Sequence, residues 1–473
     1  MRRTPNTPRR NRTRGRDDPL YRQIYERFRK AIWTGQLRPG DRLPSVRDLA
    51  QDLAIARGTV DTAYAMLAGE GYIVSRGPAG TIVSPELDDV SRGSGAARRQ
   101  LQSKALPPSR VDPKPLQMGL PALDVFPRKL WAHLMSREAR RFSAADMMYP
   151  DPAGLQSLRQ AVAAYLAASR GIECEWRQVV MTNGFQGGLD WALRVLLRRN
   201  DRVWIEDPCF PPVRKALEAA GAQLVPLRVD ADGMRVSDGL KQAPRARMAV
   251  ITPSHQSPLG VALALPRRLA LLGWANEADA YVVEDDYDSE FRFVGRPLPA
   301  LKGLDREQRV IYAGTFSKVL FPGLRLGYLV LPDRLLKDFL EARPWHTSGQ
   351  GPLLERVVAS LMTEGHFARH LKRMRKQYAG RREALADALN AEFGRLVRID
   401  MQPGGMNLLV RFRSRANDVA LAALANHAGL GAEPLSVRAI KHACGQGLLV
   451  SFTNVAAADA PEIARRLKRA LRV

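Results

Sequence analysis

Residues 315–328 read TFSKVLFPGLRLGY, a polar turn carrying one lysine, Lys318, between two short apolar runs at 310–312 and 326–331. Apolar runs of that length, punctuated by turn residues, are the pattern of buried strands. Similar runs stand upstream at 178–181, 202–205, 248–251 and 281–284, and the segments between them place apolar residues at helical spacing. Strands alternating with helices predict a mainly parallel α/β sheet. Downstream, a long basic helix is expected around 366–393, followed by strands at 406–412 and 448–452, which suggests a smaller α+β subdomain. No internal repeat of solenoid length is visible.

The chain has 473 residues, a prior for two or three domains. Hydrophobic residues make up 45% and charged residues 26%, so most of the chain can bury a core and general disorder is excluded. Lys and Arg number 73 against 48 Asp and Glu, a formal charge of +25 that favours a polyanionic partner. Nucleic acid comes first, ahead of acidic membrane surface or phosphorylated ligands. Cys174, Cys209 and Cys444 are far apart and form no C-x-x-C pair, which argues against a disulfide framework or a zinc site and fits a reducing cytoplasm. The basic N-terminus is followed by no apolar signal region, and no apolar stretch approaches the roughly 20 residues of a membrane span, so neither secretion nor membrane insertion is expected.

Charge is densest at the N-terminal end, where residues 1–113 hold 21 basic and 12 acidic side chains. Residues 1–18 form a basic tail, seven arginines and no acid in the first sixteen, suited either to lie along phosphates or simply to keep the chain soluble. Residues 19–84 form a compact module. Leu20, Ile24, Phe28, Ala31 and Ile32 mark a first helix stopped by Gly35, and Ser45 caps a second helix with Val46, Leu49 and Leu53 inward. A third helix has Val60, Tyr64 and Leu67 inward, and two short strands follow at 72–76 and 81–84. Three helices and a β-hairpin make a winged helix-turn-helix. Arg57 and Thr59 open the helix that would enter the major groove of double-stranded promoter DNA. Arg47 stands where it can reach a phosphate, and the wing glycines up to Gly80 permit close backbone approach to the minor groove. Residues 85–113, rich in Ser, Gly, Arg and Pro, read as a linker to a domain at 114–473.

The module at 19–84 resembles, through its whole length, the winged-helix domain of the GntR family of bacterial transcription regulators. Ala56 stands where that family commonly has a serine.

In the larger domain, a lysine flanked by hydroxyls and followed by an arginine can form a Schiff base with an aldehyde while its neighbours hold an attached phosphate. That chemistry describes pyridoxal 5′-phosphate (PLP). Thirty-three residues before Lys318, Asp285 ends a strand in VEDDY, where a buried carboxylate can pair with a protonated pyridine nitrogen. The loop TNGFQGG, with Gly184, Phe185 and Gln186, lies between a strand and a helix whose N-terminus can receive a phosphate. Phe210, in DPCFP after another strand, offers a ring to stack on the pyridine. Singly, each has a blander reading as surface lysine, strand-end cap, loop or core filler; the conjunction carries the weight.

Together with TPSHQSPLG at 252–260 and GHFARHLKRMR at 365–375, these segments resemble a fold type I aminotransferase, and the fusion to a GntR-type reader resembles the MocR/GabR subfamily. The resemblance implies that Lys318 carries the cofactor, Asp285 pairs with its ring nitrogen and Tyr287 donates to its ring hydroxyl. It also implies phosphate ligation by Thr315 and Arg325 beside Ser317. Tyr149 matches the tyrosine that aminotransferases lend across a homodimer to the neighbouring phosphate. One departure matters: Leu449 stands where aminotransferases generally hold the substrate carboxylate with an arginine, leaving Arg438 or Lys441 as substitutes or a ligand that is no ordinary α-amino acid. His366 and His370, four apart, lack the partners of a metal site. The expectation is a regulator whose aminotransferase-like domain senses an amine, an amino compound or PLP as its small-molecule effector, rather than an enzyme. The alternative is an aminotransferase with an auxiliary DNA-binding module.

Overall fold

The computed structural model describes residues 19–77, 80–87, 112–295, 299–342, 351–413 and 417–472. The tail at 1–18, most of the linker at 85–113 and the wing tip at 78–79 lie outside the described residues. Contacts divide the chain into two units, residues 1–111 and 112–473.

In the smaller unit three helices, α1 (Leu20–Trp33), α2 (Val46–Asp52) and α3 (Arg57–Gly69), precede a hairpin of β1 (Ile73–Ser75) and β2 (Thr81–Val83). Gly35, at φ +74°, turns the chain after α1, a conformation glycine adopts without a Cβ penalty. The Ser45 hydroxyl accepts the Asp48 amide at 3.1 Å and caps α2. Val60, Ala63 and Leu67 on α3 are fully buried against Ile24, Leu49, Ile73 and Val83. Two expected core positions face out instead: Leu20 is 55% exposed and Leu53 is 36% exposed. Leu20 is the first residue of its helix and Leu53 the residue just past the end of α2, so neither is carried over the core; Tyr25 and Ala50 take the inward positions. The Tyr25 hydroxyl donates to Glu70 at 2.6 Å and ties α1 to the end of α3.

The larger unit is built on eight strands: β3 (Val179–Thr182), β4 (Arg202–Asp207), β5 (Gln223–Asp230), β6 (Gly233–Met234), β7 (Met248–Ile251), β8 (Tyr281–Asp286), β9 (Val310–Thr315) and β10 (Gly327–Val330). Their order is β3-β10-β9-β8-β7-β4-β5-β6. Pairs among β5, β4, β7, β8 and β9 are parallel, whereas β10 runs antiparallel to both β3 and β9. Every residue of β3, β7, β8 and β10 is buried, as expected of strands covered on both faces by helices. Those helices include α4 (Gln156–Arg170), α5 (Gly184–Leu196) and α6 (Leu265–Glu277), whereas α7 (His366–Phe393) packs mainly on the C-terminal helix Ala460–Leu471. The expected strands are all present. β5 and β6 were not foreseen, because β5 is interrupted by Pro226 and only two of its eight residues are buried.

A second, antiparallel sheet comprises β11 (Val397–Asp400), β12 (Asn407–Phe412), β13 (Glu433–Pro434) and β14 (Leu448–Ser451), in the order β11-β12-β14-β13. Because β3, β4, β8 and β9 point the same way, the loops that leave them gather along one edge of the large sheet. Ligand sites of open α/β sheets form at such carboxyl ends.

Candidate functional site

The turn after β9 carries Lys318, whose Nζ donates to the Gly119 carbonyl at 2.9 Å. Burial lowers the Lys318 pKa from its ordinary value, opposed by the negative field of Asp285, Asp288 and Glu433. Gly119, at φ +77°, lies so close that a Cβ there would stand 2.7 Å from Nζ. No side chain can replace that glycine without displacing the lysine.

Asp285 and Asp286 end β8, and successive strand residues point to opposite faces. Asp286 faces the core, paired with Arg170 at 2.6 Å and accepting the Tyr312 hydroxyl at 2.8 Å. Asp285 faces the other way, into a small cavity lined by Phe210, Glu206, Thr252, Cys209 and Ser257. Its Oδ1 is buried with no hydrogen-bond partner among the described residues. Burial, then Asp286 and Asp288, push its pKa well above the usual carboxylate range, while Lys318 pulls it down. A buried carboxylate lacking a donor fits a ligand that brings a protonated ring nitrogen. On the same wall burial raises Glu206 to about 7, although it accepts both the Thr252 amide at 3.1 Å and its hydroxyl at 2.5 Å.

Tyr287 meets His255 Nδ1 at 3.0 Å, and the same nitrogen lies 3.0 Å from Asp288 Oδ2. Burial raises the Tyr287 pKa well above the ordinary phenol value. Asp288 and His255 thus buttress the Tyr287 hydroxyl, a contact that sequence reading missed.

At the start of α5, Gly184 adopts φ +72° and sits beneath Arg325, 3.9 Å from Cζ to an ideal Cβ. Arg325 Nη2 donates to the Asn183 carbonyl at 3.3 Å. Thr315 Oγ1 accepts the Ser317 amide at 3.2 Å, which draws both hydroxyl residues into the turn beside Lys318. Phe185 packs on the apolar core around Leu329, and the Gln186 side chain is exposed, so these residues present their backbone amides to the loop rather than side chains. Phe210 precedes the helix after β4 and lies under the Arg438 guanidinium, 5.8 Å from ring centroid to Cζ.

Tyr149 is 99% exposed, beside exposed Met147 and Met148. Leu449 is fully buried with Leu409 and Leu435 against Met118, Leu259 and Cys444. Arg438 is buried and ion-paired with Glu433, whereas Lys441 is exposed. His370 Nε2 lies 2.8 Å from the Val319 carbonyl and His366 Nδ1 2.8 Å from Arg369 Nη2, so the two histidines make separate contacts.

In the smaller unit, Arg47 and Arg57 are exposed near the starts of α2 and α3, and Thr59 is half-buried. Gly80, at φ +90°, lies against the side chain of Arg42, which would stand 2.9 Å from a Cβ there. Arg42 was not foreseen: nothing in its local sequence says that it folds onto the wing.

The family model for bacterial regulatory proteins of the gntR family matches residues 20–83, and that for aminotransferase class I and II matches residues 131–458. The probable rhizopine catabolism regulatory protein MocR of Rhizobium meliloti is 38% identical, across 93% of this chain and 92% of that protein. The HTH-type pyridoxine biosynthesis transcriptional regulator PdxR of Corynebacterium glutamicum is 32% identical, across 89% and 88%. Among solved structures, an archaeal alanine:glyoxylate aminotransferase superposes with a TM-score of 0.70 at 26% identity, covering 76% of this chain and 91% of that one. The α-aminoadipate aminotransferase LysN of Thermus thermophilus, complexed with N-(5′-phosphopyridoxyl)-L-leucine, superposes with a TM-score of 0.69 at 28% identity, covering 76% and 91%. A gntR-type winged helix and a fold type I aminotransferase domain on one chain, shared nearly end to end with MocR, make this protein a member of the MocR/GabR subfamily of GntR regulators.

Proposed function

We propose that the protein is a DNA-binding transcription regulator whose aminotransferase-like unit binds PLP and senses an amine, an amino compound or PLP itself. The observation that carries this reading is the electrostatic interaction of Lys318 with Asp285, whose buried Oδ1 has no hydrogen-bond partner among the described residues, on a chain that also bears a winged helix. When bound, PLP supplies an aldehyde to an amine and a ring that withdraws electrons. Lys318 would hold the aldehyde carbon, and Asp285 would hold the proton of the ring nitrogen. Tyr287, fixed by His255 and Asp288, donates to the ring hydroxyl. Phe210 would stack on the ring. Thr315, Ser317 and Arg325 bind the phosphate together with the amides of Gly184, Phe185 and Gln186. Tyr149, exposed on its own chain, completes the phosphate site of a neighbouring subunit in a homodimer.

On the DNA side, Arg57 and Thr59 read base edges, Arg47 contacts a phosphate, and the wing at Gly80 approaches the minor groove. Effector binding shifts DNA affinity only if it favours one arrangement of reader and sensor over another. The aminotransferase-like unit acts as a sensor rather than a turnover catalyst, a reading supported by the apolar surroundings of Leu449. The test is fluorescence anisotropy with DNA from upstream of the gene, with and without PLP and with Lys318→Ala. A ligand-dependent affinity that Lys318→Ala loses supports the proposal. Multiple turnovers with an amino donor and a keto acid, together with DNA affinity indifferent to ligand, would instead identify an enzyme.

A further inference from the structure

The second sheet and the segment after it hold a neutral ion pair, Arg438 with Glu433, close to the position where a carboxylate receptor would be expected. Leu449 on β14 sits in register with Glu433 on β13 and Leu409 on β12, and the cluster it forms with Leu409 and Leu435 packs on Met118, the residue before Gly119, and on Leu259. The segment after β13 is pinned to the end of β4: Asp207 accepts the amides of Ile440, Lys441 and His442 at 2.7, 2.8 and 2.7 Å. The Cys209 amide donates to the Arg438 carbonyl at 3.1 Å. These bonds hold the Arg438 guanidinium over Phe210, where Glu433 takes its Nη2. Glu433 also contributes to the negative field at Lys318.

A carboxylate brought to this pair finds no arginine at position 449, where Leu449 is fully buried, and an Arg438 guanidinium whose charge Glu433 already offsets. It would also lie near the Glu433 carboxylate, and like charges at short range repel. A hydroxyl fits better, because it donates to Glu433 and accepts from a guanidinium that has five N–H donors. We infer that the effector is a primary amine bearing neutral hydroxyl groups, with no α-carboxylate, and that Glu433 and Arg438 select it. This inference rests on the reading of Lys318 as the cofactor lysine.

Serine and serinol (2-amino-1,3-propanediol) differ only in a carboxylate replaced by a hydroxymethyl group, so they isolate the point. The full-length protein with PLP is first scanned for a visible band that Lys318→Ala abolishes; absence of the band overturns the cofactor reading and this inference with it. With the band present, each amine is titrated by absorbance and by calorimetry. Serinol should half-saturate at a concentration at least about tenfold below serine, the scale of one hydrogen bond to a charged group. Glu433→Gln should narrow that gap by exposing the Arg438 charge to the serine carboxylate. Should that variant fail to hold PLP, Leu449→Arg reads the same preference and should shift it toward serine. Serine binding as well as or better than serinol in the unaltered protein overturns the inference and leaves the cofactor reading intact. Failure of both amines to shift the band overturns it too, as does a serinol preference unchanged in the variants.

Discussion

Replacing Asp285 with asparagine should move two measurable quantities in opposite directions. In the cofactor-free protein Asp285 Oδ1 is buried without a hydrogen-bond donor among the described residues, beside Asp286 and Asp288. A neutral amide costs less to bury there than a carboxylate, and the cost of an unsatisfied buried group is about 1–3 kcal/mol. For the unit at residues 112–473, unfolding entropy is roughly 0.8 kcal/mol per kelvin at about 2.1 cal/mol/K per residue. Asp285→Asn should therefore raise the cofactor-free Tm by roughly 1–4 °C. Because the folded-state pKa of Asp285 is raised, the stability linked to its proton is present below the unfolded aspartate pKa, about 3.9, and is lost as pH rises through the folded value. The gap between variant and parent should thus widen toward high pH. With PLP the sign reverses, since the variant loses a charge-assisted hydrogen bond to the ring nitrogen worth about 1.5–3 kcal/mol, or roughly 10- to 150-fold in Kd. Thermal melts at several pH values and PLP titrations decide it. A cofactor-free variant that melts below the parent at pH 8, or an unchanged PLP affinity, would refute the assignment.

Lys318→Ala should abolish the visible band of the PLP-loaded protein, because only a lysine amine forms the linkage; a retained band after removal of free cofactor would move the site to another lysine. Arg57→Ala should weaken promoter binding by about 1–3 kcal/mol at fixed salt without altering PLP content. Unchanged DNA affinity would place the recognition surface elsewhere. Sedimentation should show a homodimer at working concentration, and Tyr149→Phe should weaken PLP binding while leaving the dimer intact. A monomer with full PLP occupancy would contradict the shared site.

How much of this could be read from sequence follows the range of the interactions. Strand and helix positions were legible because apolar periodicity reports burial one element at a time, and the runs at 248–251 and 281–284 lie within β7 and β8. β5, with Pro226 and little burial, and β13, only two residues long, carry too weak a pattern. Lys318, Asp285, Phe210 and Gly184 could be read as candidate chemistry because each sits at a strand end, in the turn after a strand or at a helix start, with a local signature. Their partners were not. Gly119 meets Lys318 across 199 residues of chain, His255 reaches Tyr287 from the loop after β7, and Arg438 arrives over Phe210 only because Asp207 holds the segment that follows it. Substitution at Leu449 was visible in sequence, but the neutralisation of Arg438 by Glu433 was not. By itself, the sequence determined which residue types stand at the ends of which elements. Which of them share a pocket was decided by strand order and register, since crossovers bring together side chains whose separation along the chain says nothing of their distance in space.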